Sequence, residues 1–166
     1  MITPPGNKAP DERTRSRPAA ERMRPAAALR YGAAWVAGAA RTADARRAVH
    51  AFLALAARTA HASVTSRAEQ DAQLVVSELV GNALRHAPGP CGLLLELSAD
   101  RARLGITVWD TSPSVPLVNE RDGTRVGGHG LFLVRACSRA LDTVAGPDGK
   151  LVIAEVALRP GQAGPP

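Results

Sequence analysis

The sequence predicts an α+β fold, a two-layer sandwich in which a mainly antiparallel sheet carries helices on one face. Two observations lead there. Between residues 42 and 86, apolar side chains recur every three or four positions, the period of helices laid against a core. From residue 91 the period shortens to that of strands, broken by one further helical stretch beginning at 129, so that the order reads βααββαββ.

The elements follow in chain order. Residues 1 to 28, with Pro4, Pro5, Pro10, Pro18 and Pro25 among charged side chains, bury too little apolar area to offset chain ordering and are expected to form a disordered basic arm. The domain is expected over 29–159. "LRYGAAWVAG" (29–38) reads as a short first strand with Tyr31, Trp35 and Val36. "TADARRAVHAFLALAARTA" starts a helix at Thr42, read as its N-cap, with Asp44 in the first turn and Val49, Phe52, Leu53 and Leu55 at helical spacing. A second helix is predicted from about Arg67 to His86, stopped by Pro88 and Gly89. "CGLLLELSA" and "RLGITVWD" form a hairpin about a charged Asp-Arg turn. Residues 111–128, with two prolines and Gly123, Gly127 and Gly128, read as a mobile loop. "HGLFLVRACSRAL" is the third helix, with Leu131, Val134 and Cys137 or Ser138 inward, and "DTVAGPDGKLVIAEVALRP" is a closing hairpin about "GPDG", with a disordered tail over 160–166.

Composition narrows the function. A chain of 166 residues supports one domain with a real core, and with only five aromatic residues that core must be built from Leu, Val and Ala. The net charge of +6 is not spread evenly: residues 1–60 carry +7 and residues 61–166 carry −1. Without aromatic interleaving or a reading motif, this is the charge of a solvated arm, and direct nucleic-acid binding is not expected. Cys91 and Cys137 lack metal-ligand spacing and read as free thiols in a reducing cytoplasm. The longest apolar window, 31–40, is too short to cross a bilayer of about 30 Å. A start at Met23 would make the segment resemble a signal peptide, but Arg30 interrupts its apolar region, and a cytoplasmic protein is expected.

Three stretches carry chemistry. In "LVVSELVGNALRHA" (74–87), Glu78, Asn82 and His86 stand four residues apart and form a polar stripe on one helix face, flanked by Leu74, Val75, Leu79 and Val80. Such a stripe faces either water, with Glu78 pairing Arg85 or another neighbour, or a ligand. "ITVWDTSP" ends an apolar strand in Asp110, a carboxylate able to accept from an exocyclic amine. "GGHGLFLV" sets Gly127, Gly128 and Gly130 before a helix, where backbone N–H groups can meet phosphate. It is not the dinucleotide fingerprint, and no Walker lysine accompanies it.

Taken in order, the three stretches resemble the N box and the first and second G boxes of the GHKL superfamily, most closely the bacterial anti-sigma-factor serine/threonine kinases, over about residues 30–158. The resemblance implies a Bergerat-type ATP-binding fold with ATP and Mg2+ as cofactors. It implies that Asn82 holds the magnesium, that Glu78 is the candidate general base, and that Asp110 accepts the adenine N6 hydrogen bond. Gly128 and Gly130 match lid glycines, and Ser112, His129 and Leu131 fall in the same two nucleotide-binding motifs. Arg85 and His86 lie where the helix nears the phosphates, a place that cations offsetting the helix dipole explain equally well. The implied partner is a sigma factor, an anti-sigma-factor antagonist, or both; a homodimer is left open. Two positions depart from the family. Ser112 stands where glycine is common, and Leu151 where relatives carry a threonine reaching adenine through water, a contact whose loss costs about 0.5 to 1.5 kcal/mol. These departures keep a non-catalytic, partner-sequestering module as the alternative.

Overall fold

A computed structural model describes residues 27–114 and 129–159; the arm up to residue 26, the 115–128 part of the loop with Gly128, and the tail from residue 160 lie outside the described residues. Strands β1 (Leu29–Trp35), β2 (Cys91–Leu97), β3 (Arg103–Asp110), β4 (Ala140–Gly146) and β5 (Gly149–Ala157) form one sheet in the order β1-β2-β3-β5-β4. Every neighbouring pair is antiparallel. With helices α1 (Thr42–Thr59), α2 (Ser66–His86) and α3 (His129–Cys137), the described order is the expected βααββαββ.

Alternation along the strands shows which face the helices cover. Leu93, Leu95 and Leu97 of β2, Leu104, Ile106 and Val108 of β3, and Val152, Ala154 and Val156 of β5 are buried in one core with Val49, Phe52 and Leu53 of α1 and Val75, Val76, Leu79 and Val80 of α2. Each large member contributes about 1.5 to 3 kcal/mol relative to an exposed side chain. As composition requires, Leu, Val and Ala dominate this core. Alanines such as Ala45, Ala56, Ala72 and Ala83 let the helices lie close together.

Several boundaries differ from expectation for local reasons. The N-cap of α1 is Arg41, not Thr42, and makes no side-chain cap bond, whereas α2 starts one residue early because the Thr65 hydroxyl oxygen accepts from Ala68 N at 3.2 Å. Leu55 is exposed despite its helical spacing. Tyr31 and Val36 are also exposed, since β1 is an edge strand that ends at Trp35. Ala28 donates to Leu97 O at 2.8 Å, so backbone pairing begins one residue before β1. Helix α3 stops at Cys137 because Ala140 and Leu141 pair with Glu155 and Ala154 in the sheet. Cys91 is buried, but Cys137 is only partly so.

The β4–β5 turn contains a position that only glycine fills. Gly149 has φ +139°, and the backbone of Asp110 and Thr111 occupies the space that a Cβ would need. Gly149→Ala is expected to destabilise the fold by about 2 to 3 kcal/mol. Thermal unfolding of the variant followed by circular dichroism checks this; an unchanged midpoint contradicts it.

Candidate functional site

Helix α2 runs from an N-cap threonine and Glu69 in the first turn, through a buried apolar face that includes Val75, Val76, Leu79 and Val80, to Arg85 and His86 in the last turn, just before Pro88. At Glu78 its polar stripe meets the start of α3. Glu78 and Asn82 are half-buried, whereas Arg85 and His86 are exposed. The carboxylate of Glu78 does not pair with Arg85. Its Oε2 takes up the space that a Cβ on Gly130 would need, so the absence of a side chain at 130 is what lets the carboxylate reach the start of α3. Arg85 curls back over Gly81 instead, and its Nη2 donates to Asn82 Oδ1 at 2.6 Å.

The end of β3 lies at the same end of the sheet. Gly89, just past α2, packs against the Thr111 side chain, bringing the C-terminal end of α2 to the residue after Asp110. Asp110 is buried, and its partner in register across the β3–β5 ladder is Lys150. Lys150 Nζ donates to Asp110 Oδ1 at 2.8 Å, with the two side chains only 5% and 3% exposed, and also to Ser112 O at 3.3 Å. The N–H of Ser112 donates to the same Oδ1 at 2.9 Å, closing a tight turn on the carboxylate. Among the described residues no hydrogen bond reaches Oδ2. The Cys91 thiol, opposite Asp110 on β2, is pushed above its ordinary range by burial and then by the Asp110 charge.

Lys150 was not among the expected site residues. A signal for it exists in the alternation Lys150, Val152, Ala154, Val156, which places it on the helix-covered face as β5 begins. Leu151 pairs with Trp109 on the opposite face of the sheet, so the side chain that meets Asp110 is the lysine.

The other expected residues are placed less directly. Leu131 is 7% exposed and belongs to the core, so only its backbone is available to a ligand. His129 and Gly130 open α3, where the first-turn N–H groups of a helix lack intrahelical acceptors. Gly128 lies outside the described residues. A cleft of about 310 Å³ opens beside the β4–β5 turn, with Trp109, Val144, Leu151, Asp110 and Lys150 in its lining; Glu78, Asn82 and Gly130 are not part of it. Among the described residues no group of three or more His, Cys, Asp or Glu side chains is arranged to hold a metal.

The donor set nonetheless suits a magnesium-nucleotide. Magnesium is commonly bound through one or two protein oxygens together with substrate phosphates and water, and Asn82 supplies a half-buried amide oxygen, which here accepts from Arg85. Asp110 supplies an acceptor and α3 a helix start.

Residues 38–156 match the family model described as the histidine kinase-like ATPase domain. Among solved structures, the chain is similar to the blue-light activated histidine kinase of Erythrobacter litoralis EL346, at 25% identity over 57% of this chain and 32% of that chain, with a TM-score of 0.46. It is also similar to the catalytic domain of the histidine kinase ThkA in a nucleotide-free form, at 14% identity over 78% of this chain and 99% of that chain, with a TM-score of 0.48. The chain thus spans about a third of the length of the Erythrobacter protein. Among curated proteins, none matches the sequence.

Proposed function

The chain belongs to the histidine kinase-like ATPase domain family, and from that premise we propose that it is an ATP- and magnesium-binding regulator that phosphorylates a serine or threonine of a protein antagonist. The finer assignment rests on the resemblance of "ELVGNALRHA", "VWDTSP" and "GGHGLFLV" to the boxes of anti-sigma-factor kinases. A sigma factor, its antagonist, or both are the partners this reading implies, and the cytoplasm is its setting. No helix among the described residues is long and apolar enough to cross a membrane.

One observation carries the catalytic reading: the Glu78 carboxylate reaches the start of α3 beside Gly130, one turn from Asn82. A carboxylate there stands next to backbone N–H groups suited to phosphate and is positioned to take the proton of an attacking hydroxyl. Asn82 would hold the metal and Asp110 the adenine. Bound magnesium supplies charge neutralisation on the phosphates. Arg85, which donates to Asn82 Oδ1 in this structure, is exposed, and its charge would be available to the phosphates were a metal held by that oxygen.

A second reading, a sequestering module with weak nucleotide binding, draws on the same contact: in the described conformation Arg85 already occupies the oxygen that the metal needs. Transfer of radiolabelled phosphate from ATP to a purified antagonist separates the two. Glu78→Gln is expected to keep ATP affinity within about threefold while losing roughly 100- to 10,000-fold in transfer rate. Undiminished transfer by that variant contradicts the role of Glu78; complex formation by the parent protein without any transfer supports the sequestering module.

A further inference from the structure

Burying a lysine and an aspartate together at the end of a sheet is a costly arrangement, since buried ion pairs often add no more stability than hydrophobic residues of similar volume. The geometry at this pair is asymmetric. Both the ammonium of Lys150 and the N–H of Ser112 converge on Oδ1 of Asp110, at 2.8 and 2.9 Å, and among the described residues Oδ2 receives nothing. A carboxylate oxygen pair has about four acceptor positions, so Oδ2 remains competent to accept. Lys150 also ties Ser112 O to the same ammonium, fixing the backbone that carries the turn. The charged groups facing Asp110 from the neighbouring strands are Lys150 on β5 and, when ionised, the Cys91 thiol on β2, so Lys150 is its cationic partner in the sheet.

We propose that Lys150 is a positioning and specificity-determining residue for nucleotide recognition: its ammonium anchors the Asp110 carboxylate through Oδ1, leaving Oδ2 to accept from the exocyclic amine of adenine. This rests on the ATP reading given above. A carboxylate oxygen accepts, so it favours a base that presents an amine at that position and disfavours one that presents a carbonyl oxygen. Without the lysine, Oδ1 keeps only the Ser112 N–H among the described donors, and the carboxylate loses the second anchor that orients Oδ2 toward the amine.

The test compares two ligands that differ only at that amine, ATP and purine riboside 5′-triphosphate, each titrated with magnesium into the full chain. The parent protein is expected to bind ATP about 10- to 100-fold more tightly than the purine analogue, as one hydrogen bond to a charged group allows. Lys150→Met is expected to lose that preference by weakening ATP binding while leaving the analogue within about twofold. Equal weakening of both ligands, or no change in either, overturns the proposal, because a merely structural lysine has no means of sensing the amine. Should Lys150→Met fold poorly, the same question is put to Asp110→Asn with and without Lys150→Met: once the carboxylate is gone, removing the lysine is expected to change ATP affinity less than about twofold. A further loss there also overturns the proposal. A parent protein that binds neither ligand removes the ATP reading itself and this proposal with it, whereas a parent that binds both equally removes only the proposal.

Discussion

Asn82→Ala is expected to remove the magnesium-dependent part of ATP binding, weakening affinity by roughly 100-fold, while leaving the fold intact. The magnitude follows from the place of the side chain. Residues that merely support a metal ligand already cost about 10- to 100-fold when lost, so removal of the protein's own oxygen ligand belongs at or beyond the upper end. Stability moves the other way. Alanine is a better helix former than asparagine by about 0.5 kcal/mol in a helix interior, and the bond lost with Arg85 is a surface one. The melting temperature without nucleotide therefore stays near that of the parent, and only the rise produced by magnesium-ATP disappears. A variant that keeps the full rise contradicts the metal assignment.

Asp110→Ala is expected to act mainly on stability. It leaves the Lys150 ammonium, 5% exposed, without its counter-ion inside the sheet. Breaking a buried pair in this way costs about 3 to 5 kcal/mol, a large part of the stability of a domain of this size. Adding Lys150→Met to the same chain removes the stranded charge, and the double variant is expected to recover most of the loss. Urea unfolding of the two proteins provides the comparison. A single variant within about 0.5 kcal/mol of the parent, the scale of ordinary surface substitutions, contradicts this role of the pair.

Most of the fold was legible because its signals are periodic. Apolar spacing of three and four set α1 and α2, alternation set β2, β3 and β5, and Gly-Pro-Asp-Gly marked the β4–β5 turn. What local pattern misplaced was decided by distant partners. Ala140 and Leu141 continue the α3 pattern by residue type, yet they belong to β4 because β5 offers them backbone partners. Leu55 has helical spacing but reaches past the edge of the core.

The site divides along the same line. The Glu78 and Asn82 spacing is local and visible in the sequence, because four residues bring side chains to one helix face. The approach of Glu78 to Gly130 joins residues 52 positions apart, and the Asp110–Lys150 pair joins residues 40 apart; neither follows from the composition of its own segment. Lys150 stands in a "GK" dipeptide that reads as turn chemistry. Its alternation with Val152 and Ala154 marks it as inward-facing, and a lysine facing inward requires a carboxylate partner.

The central claim, that the polar stripe of α2 and the Asp110 end of β3 together receive a magnesium-nucleotide, is tested most directly by calorimetric titration of ATP into the full chain, with and without magnesium. The account predicts saturable binding that is strengthened by magnesium in the parent, loses that strengthening in Asn82→Ala, and is weakened in Asp110→Asn. Absence of saturable binding in the parent, or binding that neither substitution alters, contradicts it.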